Sequence, residues 1–170
     1  MNNLREIKKS RLLEDESFTY MISSDERTNI DAVYNYYDIR FGGFSEPYDN
    51  YKVEVISFAA VNGFPAAAAS NYYYFTVENL ADNGYFCSHK VLPTNDAILS
   101  ILPLNALQDA YIQSDGGNVS FKVKNCRIAK HVRFKWLKND FTAPITTVEI
   151  NNTAETRWVL TLRMTPIIDY

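Results

Sequence analysis

Hydrophobic and polar positions alternate most cleanly in Tyr51–Ala60, YKVEVISFAA. Tyr51, Val53 and Val55 point one way, and Lys52 and Glu54 point the other. A period of two is the signature of a β-strand with one wet face. Beyond Val55, the residues Ile56, Phe58 and Ala60 fall on the side that Lys52 and Glu54 began. The reading is a strand exposed on one face at its start and covered on both faces at its end, running into the middle of a packed structure.

The same alternation recurs along the chain. Phe18, Tyr20 and Ile22 alternate with Thr19, Met21 and Ser23, before the polar turn Ser24–Asn29. Val33–Phe41 places Val33, Asn35, Tyr37, Ile39 and Phe41 opposite Tyr34, Tyr36, Asp38 and Arg40, and Gly42-Gly43 breaks the run. Further strands are expected at Tyr72–Glu78, Tyr85–Val91, Ala97–Leu102 and Val119–Val123, with one or two helical turns over Leu104–Tyr111. The two clearest strands lie late. Val132, Phe134 and Trp136 face in against His131, Arg133 and Lys135. Trp158, Leu160, Leu162 and Met164 face in against Arg157, Thr161 and Arg163, and Pro166 is expected to end that strand. Each tryptophan can bury roughly 200 Å², so these two strands should anchor the core. About eight short strands and no long helical period predict an all-β antiparallel β-sandwich, a single jelly roll. An immunoglobulin-like sandwich is the second choice, but Trp136 follows both cysteines, Cys87 and Cys126, instead of lying between them.

Composition adjusts this picture little. The chain has 170 residues, 46% hydrophobic and 14% aromatic, which is enough for one core without covalent staples. The net charge of −3 implies no partner by itself. No stretch approaches the roughly 20 apolar residues of a membrane-spanning helix. The opening residues lack the apolar run of a secretory signal, so Cys87 and Cys126 are expected as reduced, buried thiols rather than a disulfide. Residues 1–16 are rich in charge and poor in large apolar groups. They read as an N-terminal arm ahead of a β domain over 17–170, either a loose tail or a segment that orders on a neighbour.

Catalytic frames are not visible. The two histidines, His89 and His131, lie on different expected strands, with no HExxH, CxxC, nucleophile elbow or phosphate loop beside them. The chain is therefore read as a non-enzyme without cofactor or metal. What stands out is surface. Residues 122–138 hold Lys122, Lys124, Arg127, Lys130, Arg133, Lys135 and Lys138 and no acid, which is 7 of the 17 cations. This strip is either a solvated face whose lysines discourage aggregation, or a contact for an acidic protein, nucleic acid or an anionic membrane. Residues 14–54 lean acidic, and opposite charge at two ends of one small domain suits head-to-tail assembly. Tyr34, Tyr36, Tyr37 and Tyr72, Tyr73, Tyr74 form two aromatic clusters, suited to core filling, protein contacts or sugar stacking. The candidate interface is thus Arg5, Lys8 and Lys9 of the arm, Tyr34, Tyr36, Tyr72 and Tyr74, and Arg127, Lys130, Arg133 and Lys135.

The order SSDERTN, VYNYYDIRF, YKVEVISFAAV, YYYFTVENL, then VKNCRIAKHVRFKWLKND and a closing RWVLTLRM resembles the single-jelly-roll minor capsid and capsid-associated proteins of large icosahedral double-stranded DNA viruses. The resemblance covers roughly residues 20–164 and rests on strand order and the Ser-Asp-x-Arg-Thr-Asn turn. It does not extend to the arm or the basic strip. It implies a structural virion protein, assembled in the host cytoplasm, that links or cements larger shell subunits. It carries no activity and no cofactor. The partners it implies are major and other minor capsid proteins, and the chain itself; contact with nucleic acid or an inner membrane stays open. The competing reading is a carbohydrate- or ligand-binding β-sandwich module.

Overall fold

Among the described residues, the inward faces that alternation marks lie in one core. The computed structural model describes residues 10–28, 36–45, 47–61, 72–78, 80, 97–103, 112–114, 119–138 and 157–169. Ten strands occur among them: β1 (Ser10–Leu12), β2 (Phe18–Ser23), β3 (Tyr36–Phe41), β4 (Asn50–Val61), β5 (Tyr72–Glu78), β6 (Ala97–Pro103), β7 (Ile112–Ser114), β8 (Ser120–Val123), β9 (Lys130–Lys138) and β10 (Arg157–Asp169). The expected strand Tyr85–Val91 and the expected turns over Leu104–Tyr111 lie outside the described residues.

The pairing is that of a long hairpin laid back on itself and rolled. Early strands meet late ones in reverse order: β2 with β10, β3 with β9, β4 with β8 and β7, β5 with β6, all antiparallel. Rolling then brings β10 against β4 and β9 against β5. The result is a six-stranded sheet, with β1 and β2 sharing one edge and β7 and β8 the other, packed on a four-stranded sheet ordered β3-β9-β5-β6. This is the two-sheet, double-Greek-key arrangement of a single jelly roll.

The core is an aromatic layer fed from both sheets. Trp158 and Phe58 come from the first sheet; Tyr37, Phe75, Phe134 and Trp136 come from the second. All six are essentially inaccessible to solvent. Trp158 lies 4.7 Å from Phe75, 5.2 Å from Phe134 and 5.3 Å from Tyr37, ring centre to ring centre. Tilted and edge-to-face contacts of this kind add to plain area burial because ring edges and faces carry opposite partial charge. Among the described residues the Trp158 indole N–H finds no hydrogen-bond acceptor. Its desolvation costs about 1–3 kcal/mol, which the surrounding packing offsets.

Two features depart from the sequence reading, each for a physical reason. The end of β4 is not covered on both faces. The register against β10 slips between Thr161 and Leu162: Thr161 faces Ser57 and Leu162 faces Val55, so Ile56 is an extra residue. This β-bulge resets the phase. Phe58 and Ala60 thereby join Tyr51, Val53 and Val55 in the same core, while Ile56 is left 43% exposed on the outer face. Likewise, Pro166 does not end the last strand, since β10 runs through it to Asp169. β2 pairs only as far as Met164 and β1 begins at Ile167, with the short 3-10 turn Glu14–Glu16 between them. The Pro166 carbonyl accepts from Leu13 N–H on that interrupted side, at 3.0 Å. A strand residue's N and C=O point to the same side, so the missing proline N–H faces the break and costs no ladder bond.

The described part of the expected arm, residues 10–16, is thus part of the sheet edge rather than a free tail. The SSDERT turn is a joint between the sheets. Ser23 and Glu26 form a reciprocal capping box, and Ser24 Oγ, buried, accepts from the Trp158 backbone N–H at 3.1 Å. Thr28 then donates its N–H and hydroxyl to the Asp38 carbonyl, at 2.7 and 2.9 Å. That carbonyl would otherwise stand open on the edge strand β3.

Replacing Trp158 by Ala is expected to cost about 3–5 kcal/mol in urea denaturation. Trp158→Phe should cost clearly less, because a ring remains and the unmatched donor is gone; equal costs for the two would contradict this account of the core.

Candidate interaction surfaces

The outward residues of β9 place part of the basic strip on the outer face of the second sheet. Three of its seven cations, Arg127, Arg133 and Lys135, are paired with acids within the subunit. Arg133 grips Asp38 of the adjacent β3 with both arms of its fork, Nε to Oδ1 at 2.6 Å and Nη2 to Oδ2 at 3.0 Å. Register explains this, since Asp38 and Arg133 are directly opposed. The guanidinium's hydrogen bond, together with its charge, holds the Asp38 carboxyl below its usual range. Lys135 is held by Glu78 of β5. Arg127 pairs with Asp49, Nε to Oδ1 at 3.1 Å. Asp38 and Asp49 belong to the acidic half of the sequence. Cations and acids that are segregated along the chain are therefore adjacent in the fold, which removes the charge argument for head-to-tail assembly.

Where the β3–β4 and β8–β9 connections meet, they form a rigid corner. Cys126 N–H donates to Asp49 O at 2.8 Å, while Cys126 O accepts from Gly43 N–H at 2.8 Å and Phe44 N–H at 3.3 Å. Gly42 has φ +91°, and a Cβ there would sit 3.0 Å from Cys126 O and 3.1 Å from Ile128 O. Only glycine lets the two backbones approach this closely. The turn also lets Phe44 plug this end of the sandwich, 5.1 Å from Tyr20 and 5.4 Å from Phe18. Asn125 adopts the left-handed conformation, φ 56°, and Ile128 N–H returns to Asn125 O at 3.3 Å. Ile128 itself is thrust out, 70% exposed. Lys130 donates its ammonium to the Lys124 carbonyl across the base of the loop. Cys126 is a free, buried thiol. Burial pushes it up to about 11, against the opposing pull of the Lys130 charge.

A second exposed apolar group lies on the outer face of the first sheet. Met21 is 60% exposed and stands opposite Thr161, and Val159 and the bulged Ile56 are near neighbours in register. The sequence reading missed it. Met21 has the outward phase in β2, and Ile56 shares the phase of Lys52 and Glu54 in β4; the apolar run Ile56, Phe58, Ala60 hid this, because the bulge then moves Phe58 and Ala60 to the core side.

The remaining expected contacts divide as follows. Arg5, Lys8, Lys9 and Tyr34 lie outside the described residues. Tyr36 and Tyr72 are placed in β3 and β5 by their backbone alone. Tyr74 is half-buried, and Tyr37 belongs to the core. None of the described aromatic side chains is exposed. Among the described residues, no three His, Cys, Asp or Glu side chains cluster as a metal site would require. No family model matches the chain, and no curated protein matches it either.

Two outcomes follow from the ion pair and the thiol. Asp38, with its pKa depressed by Arg133, stabilises the fold at neutral pH, and that contribution is lost as acid titrates the carboxyl through its lowered value. In Arg133→Gln the Asp38 carboxyl, followed by NMR titration, should rise toward the ordinary range, and the acid unfolding limb should begin at higher pH. Cys126 should resist alkylation by iodoacetamide in the native protein near pH 8 and become labelled only on unfolding, as read by peptide mass spectrometry.

Proposed function

We propose that this chain is a structural jelly-roll subunit of a viral shell, a minor capsid component that links larger shell proteins of an icosahedral double-stranded DNA virus. The observation that carries the reading is the arrangement of its apolar side chains. The rolled-hairpin sandwich packs its aromatic rings inside and leaves the aliphatic residues Met21, Ile56 and Val159 together on one outer face. Jelly rolls serve both as capsid and as lectin domains, so topology does not choose between them. A lectin needs exposed rings on which sugars stack, whereas the described rings are buried or half-buried. Exposed aliphatics on a rigid scaffold suit contacts between proteins, where central apolar anchors supply most of the energy and charged rims set orientation. The order of the strands and the Ser-Asp-x-Arg-Thr turn support the same reading through the resemblance they carry.

The shell reading predicts that the chain sediments with purified virus particles through a density gradient and crosslinks there to larger shell proteins. Met21→Glu combined with Ile56→Glu, both on exposed positions, should lower its incorporation at least tenfold while leaving the melting temperature of the isolated chain nearly unchanged. Absence from particles, or saturable glycan binding by the isolated chain, would overturn the proposal.

A further inference from the structure

The corner between β8 and β9 joins two properties that rarely coincide on a surface. At its apex stands Ile128, the most exposed of the large apolar side chains described. Around it are cations from both sheets: Lys122 and Lys124, exposed at and beyond the end of β8, Arg127 in the turn, and Lys130 at the start of β9. Asp49 is one carboxylate paired with this group, and it is engaged by Arg127. Among the described residues, neither Lys122 nor Lys130 has a carboxylate partner.

We propose that this corner docks on an anionic lipid surface, with Ile128 entering the boundary between headgroups and acyl chains and the cations lying over the headgroup phosphates and carboxylates. Charge disfavours a second copy of the chain as the occupant, since a two-fold contact here would press like charges together. Footprint disfavours a protein partner. One aliphatic side chain on a convex corner is far from the roughly 800 Å² per partner of a stable protein interface. A nucleic acid would use the cations but leave Ile128 in water. A lipid surface takes both, and needs no socket.

The backbone is suited to the same task. Chain that enters a membrane boundary must have its polar groups already satisfied. The Cys126 N–H and carbonyl are bonded to Asp49, Gly43 and Phe44, and Ile128 N–H to Asn125. Each cation near an anionic surface strengthens binding about fivefold, and burying one isoleucine adds about tenfold to a hundredfold. A single copy therefore binds weakly, and many copies held in one assembly bind together.

The test uses the purified full chain in cosedimentation with phosphatidylcholine vesicles containing about 30% phosphatidylserine, with pure phosphatidylcholine vesicles, and with duplex DNA measured by fluorescence anisotropy. Expected are sedimentation with the anionic vesicles alone and loss of binding as salt rises. Ile128→Asp should weaken vesicle binding at least tenfold. The double substitution Lys122→Gln with Lys124→Gln should weaken it about 25-fold. All these positions are exposed, so thermal melts should match the parent chain; Ile128→Ser provides a second, milder variant. No binding to anionic vesicles, or binding that Ile128→Asp leaves unchanged, overturns the proposal. So does tighter binding to DNA that is indifferent to Ile128. The measurement is made on the isolated chain, so its outcome is independent of whether the chain is found in virus particles.

Discussion

The whole architecture depends on the contact between Trp158 and Phe75 across the gap between the sheets. Trp158 sits on β10, the strand that holds the first sheet together by pairing with β1, β2 and β4. Phe75 sits on β5, between β9 and β6 in the second sheet. Their rings meet at 4.7 Å, and Phe58, Phe134, Trp136 and Tyr37 close around them. Two sheets joined only by loops could slide past one another. Interleaved rings from both sides fix their separation and their offset, because a close-packed interior has no room for an alternative arrangement. The same strand is tied at its start to the Ser24 hydroxyl, so the joint and the core share one element.

Around that layer the chain makes two local accommodations. The bulge at Ile56 lets a strand of 12 residues return Phe58 and Ala60 to the core. The break between β1 and β2 lets Pro166 remain inside a central strand. Each is a concession by the backbone to the packing of side chains. The residue at the bulge, Ile56, is aliphatic and keeps the outward phase of Lys52 and Glu54, so it joins Met21 and Val159 on the outer face of the first sheet.

The exterior follows a second logic. Cross-strand register, rather than position along the chain, decides which charges meet. Arg133 finds Asp38 directly opposite, and Lys135 finds Glu78 on the diagonal across from it, because antiparallel pairing brings them within reach. Exposed pairs of this kind stabilise little, typically below about 1 kcal/mol, but they cancel local field and favour one register. The β8–β9 corner keeps positive character because register sets Lys122 opposite Lys52 and Lys130 opposite Phe41, so that among the described residues neither is paired with an acid. It also holds an aliphatic side chain clear of the core, as the backbone bonds from Cys126 to the β3–β4 connection leave Ile128 no inward path.

Period-two alternation by itself determined the inward faces of β2, β3, β8, β9 and β10, the anchoring role of Trp136 and Trp158, and the all-β class. A pleated strand must present alternate residues to opposite sides, and only one of those sides can be buried in a two-layer fold. Strand number and spacing were enough to expect the rolled sandwich. Only the tertiary structure decided the phase change at Ile56, the passage of β10 through Pro166, the pairing of Arg133 and Arg127 with acids distant in sequence, and the projection of Ile128. Each of these depends on what lies across from a residue on another strand, and that neighbour is brought there by the fold and not by the order of the chain.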